Sequence, residues 1–162
     1  MYKRQGENYD LGVSTSAGTL GDLPDGAATA QSAIGQRDVT MTALQAAVMA
    51  GTVANKGTRM QPYLVNRITD AQMKDIRTTK PKKADQAVNE ETAATLTDLM
   101  YASERSSAGY DGNGFASKTG TAEHGEGLAP HVWYVAFDPE RDIAVGVVVK
   151  NGGNLGESAT GG

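Results

Sequence analysis

The sequence contains no cysteine, which removes disulfides, thiolate metal sites and thiol nucleophiles together and leaves the compartment open. Positive charge is also scarce: 15 Lys and Arg stand against 19 Asp and Glu, for a net charge of -4. With no basic patch along the chain, neither a nucleic acid nor an anionic membrane surface is expected as a partner. Long hydrophobic runs are absent. The longest, Ile143 to Val149, falls far short of the roughly 20 residues that a membrane span requires. Leu, Ile, Val and Phe number 27 of 162 residues, below the roughly 20% at which folding becomes doubtful, although the charge is modest and alanine plentiful. So lean a core is expected of part of a larger unit.

Met1-Tyr2-Lys3-Arg4-Gln5 fits no element and is set aside as a non-native leader, leaving 6–162 as part of one domain. Residues 6–37 are rich in Gly, Ser, Thr, Ala and Asp, with scattered apolar residues, and read as a long ordered loop of a kind unusual inside a compact domain. Thr42 is a good N-cap for a mostly buried helix with Leu44, Ala47, Val48 and Gly51 at helical spacing and Met49 and Val53 widening the face. Gly57 can close that helix in a left-handed conformation. Pro62 to Thr69 and Met73 to Thr78 read as a surface hairpin turned at Asp70-Ala71-Gln72. Lys80, Lys82 and Lys83 follow as a solvated charged loop. Asn89 caps a second helix whose inward stripe is Ala93, Leu96, Leu99, Met100 and Ser103, with Arg105 near its C-terminal end. Gly109, Gly112 and Gly114 then lead toward the next strand.

The C-terminal part promises three antiparallel strands. The first contains Lys118. The second, His131 to Phe137, has Trp133, Val135 and Phe137 on one face and Val132, Tyr134 and Ala136 on the other, so it should be central, with Trp133 in the core. Asp138-Pro139-Glu140-Arg141 turns the chain into Ile143–Lys150, where Val145, Val147 or Val149 should be unusually accessible if a covering layer is missing.

One segment suggests chemistry. In Ala116-Ser117-Lys118-Thr119-Gly120-Thr121-Ala122-Glu123 the β-branched Thr119 and Thr121 alternate with Lys118 and Gly120, so a strand would send both hydroxyls one way. Gly120 leaves a bare spot where another backbone can approach. Two hydroxyls, a nearby ammonium and an open strand suit an extended anionic group such as a peptide carboxylate. His124 and His131, seven apart and flanking a Gly125- and Gly127-containing loop with Glu123 and Glu126 nearby, match no standard metal spacing. A solvent-facing or hydrogen-bonded pair is expected there, and no metal or other cofactor.

Lys118-Thr119-Gly120 resembles the third signature box of the penicillin-recognising serine enzymes. Its continuation Thr121-Ala122-Glu123 resembles the monofunctional (class B) penicillin-binding transpeptidases, where beta-lactamases usually have glycine at the place of Ala122. A second passage is similar to the same family: Ala33-Ile34-Gly35-Gln36 through Gly57, where a Gly-Gln turn precedes a Thr-Pro-Leu-Gln helix start and the helix ends in Ala-Asn-x-Gly. Ala43 stands where that pattern has proline, a favourable but dispensable first helical residue. The resemblance covers about residues 8–160 and implies an α+β fold, an antiparallel sheet with helices on both faces, incomplete here at both ends, with the Lys118 strand at the edge facing the active site.

That resemblance implies the remaining functional expectations. Lys118 would hold a serine of the second box in a positive field and help move protons. The Thr119 and Thr121 hydroxyls would bind the terminal carboxylate of a D-alanyl-D-alanine stem peptide or a beta-lactam, Gly120 would leave it room, and the Thr121 N–H would complete the oxyanion hole. The nucleophile box Ser-x-x-Lys and the second box Ser-x-Asn do not occur in the 162 residues and are expected upstream, in a missing N-terminal part of the same domain. Alone, the chain should be inert. The parent would work at the extracytoplasmic face of the membrane, with cell-division or elongation proteins as possible partners. The rival readings are a D,D-carboxypeptidase or beta-lactamase-type hydrolase, disfavoured by Ala122-Glu123, and a non-catalytic penicillin sensor.

Overall fold

The computed structural model describes residues 8–107 and 110–153; the leader expected at 1–5, Gly109 and residues 154–162 lie outside the described residues. The first difference from expectation falls in the supposed loop, where Gly26–Ala33 forms helix α1. Asp25 caps it by accepting the Ala28 N–H at 2.7 Å, and alanine supplies the propensity that larger apolar residues do not signal. Residues 8–24 before it are irregular apart from a two-way backbone bridge between Thr19 and Thr40.

Helix α2 spans Ala43–Ala54. Thr42 Oγ1 accepts the Gln45 N–H at 3.1 Å while Gln45 Oε1 accepts the Thr42 N–H at 2.7 Å, a reciprocal cap that makes proline at position 43 dispensable. Beyond it Lys56 and Gly57 take φ of +52° and +79°, as the expected left-handed closure requires. Which residues are buried differs from expectation. Ala46, Ala50 and Thr52 are buried, whereas Leu44 and Val48 are half-buried and Met49 is exposed.

Strands β1 (Thr58–Met60), β2 (Arg67–Thr69), β3 (Asp75–Thr78) and β4 (Lys83–Gln86) follow. β2 and β3 form the expected hairpin, shorter at both ends, because residues 62–66 lie outside β2, with only Val65 and Asn66 still accepting from Thr79, and the turn extends to Lys74, whose N–H donates to Asp70 Oδ1 at 2.9 Å. β1 and β4 pair antiparallel, which the sequence did not suggest. Lys83 therefore opens a strand rather than closing a loop, although Lys80, Lys82 and Lys83 are all exposed as expected. Asp85 accepts from Arg59 Nε at 2.9 Å across this pair.

Helix α3 spans Glu90–Arg105, and Asn89 caps it by accepting the Thr92 N–H at 2.7 Å. Its inward stripe is the expected one in part, since Ala93, Met100 and Ser103 are buried or half-buried. Leu96 and Leu99 are exposed, while Ala93 and Glu104 are buried and Thr97 and Met100 half-buried. These four recur at the helical spacing, so the stripe runs through Thr97 and Glu104 where Leu96 and Leu99 were expected.

The sheet of β5 (Ala116–Ala122), β6 (His131–Asp138) and β7 (Ile143–Val149) is antiparallel in that order. β6 is central, as expected, and β5 is an edge strand of the described sheet. Opposing pairs put Ser117, Thr119 and Thr121 on one face with Val132, Tyr134, Ala136, Val145 and Val147. Helix α2 packs on the opposite face. There Ala50, Ala116 and Phe137 form the buried core, flanked by Val53, Met100, Val135 and Ala144. Trp133, expected in the core, is half-buried.

Candidate functional site

β5 positions all four residues singled out from the sequence. Thr119 and Thr121 share a face and are exposed, and Lys118 and Gly120 point the other way. A side-chain carbon on Gly120 would lie 3.6 Å from Trp133 Cβ, an ordinary contact. Packing within the chain therefore does not demand glycine at this position.

Two side chains reach the outer edge of the strand. Lys118 Nζ donates to the Thr119 carbonyl at 2.6 Å, and Gln36 Nε2 donates to the Thr121 carbonyl at 3.3 Å. In an antiparallel ladder the N–H and C=O of one residue point the same way, and alternate residues point to opposite edges. The carbonyls of Thr119 and Thr121 are available to these side chains because both residues turn their backbone groups away from β6. Their N–H groups face the same open edge. An ammonium, two hydroxyls and two outward N–H donors thus line one strand, an arrangement able to hold an extended chain ending in an anion.

Gln36 entered the sequence reading only as part of a turn. Gly35 at φ +81° and Arg37 at φ +62° bend the chain around it and carry its amide to β5. Three further residues, around the start of the strand, were not recognised as a group. Glu104 of α3 accepts hydrogen bonds from Ser117 Oγ and, at 3.1 Å, from Tyr134 Oη. Burial pushes the Tyr134 phenol pKa up; the Ser117 hydrogen bond opposes this and the Glu104 charge adds to it. An isolated Glu in a helix reads as a solvated residue, so only tertiary structure reveals this group.

Past β5, the His124 and His131 rings stack with centroids 3.8 Å apart. His124 Nε2 lies 2.9 Å from the Ala129 carbonyl, and His131 Nδ1 accepts the Asn151 N–H at 3.1 Å. Burial lowers the His131 pKa, and the charges of His124 and Lys150 lower it further. The two histidines are thus stacked on each other and each hydrogen-bonded to the backbone, and among the described residues no three His, Cys, Asp or Glu side chains gather into a metal-holding cluster.

The penicillin binding protein transpeptidase domain matches residues 6–162. The chain belongs to this family. It is 46% identical over 158 residues to the peptidoglycan D,D-transpeptidase PbpA of Mycolicibacterium smegmatis, covering 93% of this chain and 32% of that protein. Among solved structures it is similar to penicillin-binding protein A of Mycobacterium tuberculosis, at 41% identity and a TM-score of 0.79, covering 87% of this chain and 34% of that one. The penicillin G acyl-enzyme complex of that protein matches with the same identity and TM-score, covering 88% and 33%. The chain therefore spans about a third of the length of the transpeptidases it matches. Among the described residues no helix is long and apolar enough to cross a membrane.

Proposed function

We propose that this chain carries the substrate-clamping strand of a serine D,D-transpeptidase that cross-links peptidoglycan and is acylated by beta-lactams. One observation carries the reading. The Lys-Thr-Gly strand of a family member is an edge strand, with Thr119 and Thr121 turned outward and Lys118 curled along the same edge. A stem peptide ending in D-alanyl-D-alanine lies along that edge with its carboxylate on the Thr119 and Thr121 hydroxyls, and Gly120 lets it approach. The Thr121 N–H stabilises the oxyanion formed when a serine hydroxyl adds to the scissile carbonyl, and Lys118 supplies positive charge and helps move the proton. D-alanine leaves, and an amine of a second stem peptide takes the acyl group. A beta-lactam follows the same path as far as the acyl-enzyme.

Ala122-Glu123 and the D,D-transpeptidase names of the relatives favour an amine over water as the acceptor. The reaction takes place at the extracytoplasmic face of the membrane, where peptidoglycan is assembled. Residues 6–162, which the transpeptidase domain matches, act as part of one such domain. Partners are the nucleophile-bearing remainder of the domain and proteins of division or elongation. No cofactor takes part.

Fluorescent penicillin tests this. The 162-residue chain, which lacks Ser-x-x-Lys, should give no band that survives denaturation, whereas the full-length protein should give one. In the full-length protein Thr121→Val should slow labelling about ten-fold or more, the loss expected for one hydrogen bond to a charged group. Labelling of the chain alone would overturn the inertness, and an unchanged Thr121→Val rate would remove that hydroxyl from the carboxylate site.

A further inference from the structure

Glu104 is 7% exposed at the C-terminal end of α3 and makes no ion pair among the described residues. It accepts from two hydroxyls on two different strands: Ser117 Oγ of β5 and Tyr134 Oη of β6. Ser117 immediately precedes Lys118, and Tyr134 stands directly opposite Thr119 in the ladder. One carboxylate oxygen therefore ties α3 to both strands at the point where the Lys-Thr-Gly segment begins. Taking a carboxylate out of water for two neutral donors is a poor route to stability, since an apolar side chain of similar volume avoids the desolvation cost. The same group is a good route to geometry. It accepts only, so both hydroxyls must point at it, which fixes their rotamers and with them the twist of β5 against β6.

We infer that Glu104 is a positioning residue, which through Ser117 and Tyr134 sets the orientation of Lys118 and Thr119 on the substrate-binding edge. This rests on the reading of β5 given above and adds a residue in α3, outside the signature boxes, to its machinery. A clamp that depends on the alignment of several donors loses rate when the strand rotates by a fraction of an ångström, even when the protein stays folded.

The test is done in the full-length protein, measuring the maximal rate of acylation by fluorescent penicillin per folded molecule, together with Tm. Glu104→Leu should lower the maximal rate at least about ten-fold at a temperature where the native signal is intact, with Tm little changed or raised. Glu104→Gln, which keeps an acceptor for Ser117, should recover most of that loss. A merely structural role predicts the opposite pattern, a lowered Tm with an unchanged rate per folded molecule, and that result would overturn the inference. If Glu104→Leu does not fold, Tyr134→Phe removes the phenol hydroxyl and its hydrogen bond to Glu104 while keeping the ring. A wild-type maximal rate in that variant would likewise end the proposal. Lys118→Ala separates the two levels. If it abolishes acylation while Glu104→Leu and Tyr134→Phe leave the rate unchanged, the strand reading stands and the positioning role fails. If Lys118→Ala acylates normally, both fail.

Discussion

On one face of the β5–β6–β7 sheet, α2 lies so close that a side-chain carbon on Gly146 would come within 2.4 Å of the Ala43 carbonyl oxygen and 2.6 Å of the Ala47 nitrogen. On the other, Ile143, Val145, Val147 and Val149 are 52%, 40%, 47% and 42% exposed. Both faces of β7 are apolar, so polarity does not distinguish them. Size does where the helix crosses: Ala144 and Gly146 alternate there with the larger Ile143, Val145 and Val147. A helix can approach a sheet this closely only where side chains are nearly absent, and small residues on both partners, Ala46 on the helix and Gly146 on the strand, make that approach possible. The large residues are suited to a partner layer at ordinary packing distance.

The largest way to break this comparison is to give the close face a side chain. Gly146→Val should destabilise the fold by about 3 kcal/mol or more, because the obstructing atoms belong to the helix backbone and cannot rotate aside as a side-chain tip would. Urea unfolding gives the value, and a cost under about 1 kcal/mol would show that α2 is free to lift away. A much smaller effect is expected on the other face. Val147→Thr keeps the β-branch and the strand preference, so it should cost under about 0.5 kcal/mol while weakening the binding of a hydrophobic dye. A cost comparable to that of Gly146→Val would mean that the exposed stripe is packed in solution.

The same contrast explains what the sequence made legible. The three strands, their order and the Asp138–Arg141 turn were readable because β-branched and aromatic residues cluster there between turn signals, and the accessible valines of β7 followed from the two-sided apolar pattern. The Lys118–Thr121 segment was readable as chemistry because hydroxyl, ammonium and glycine alternate on a strand. Features made of small residues were not readable. Helix α1 consists largely of Ala, Gly, Ser and Thr, which carry no hydrophobic period. On α2 Ala46 and Ala50, rather than Leu44 or Met49, proved to be buried, because the close approach of the helix to the sheet at Gly146 outweighs hydrophobicity. On α3 the expected stripe included Leu96 and Leu99, whereas the inward position near β5 is taken by Glu104, a choice explained only by the hydroxyls of Ser117 and Tyr134 it meets. β1 and β4 were missed because three- and four-residue strands depend on a partner 28 residues away, as the Thr58–Gln86 hydroxyl-to-amide contact shows, and not on a local pattern.

The smallest expected effect sharpens the comparison at the end of the open face, where Asp138 faces Ile143 across the ladder. Asp138 is buried although that face is open, because its own turn folds over it. Its Oδ1 accepts the N–H groups of Glu140 and Arg141 at 2.9 and 3.3 Å, and its Oδ2 pairs with the Arg141 guanidinium. That guanidinium, followed by the two backbone donors, holds the carboxyl below its ordinary 3.8 despite burial, which acts the other way. On acidification the unfolded chain therefore takes up this proton before the folded one does. The stabilisation is fully present above the ordinary aspartate value and is lost as the pH falls from there through the depressed folded value. Asp138→Asn keeps an acceptor oxygen for the turn but removes the charge. The wild-type advantage in Tm over Asp138→Asn should then be constant near neutrality, shrink below about pH 4, and diminish with added salt, because the Arg141 side chain is 63% exposed. Thermal melts of both proteins at neutral and acid pH, with and without salt, measure it. A Tm gap that stays the same down to acid pH would mean that the hydrogen-bonding geometry of the turn, and not the charge of Asp138, holds this corner of the sheet.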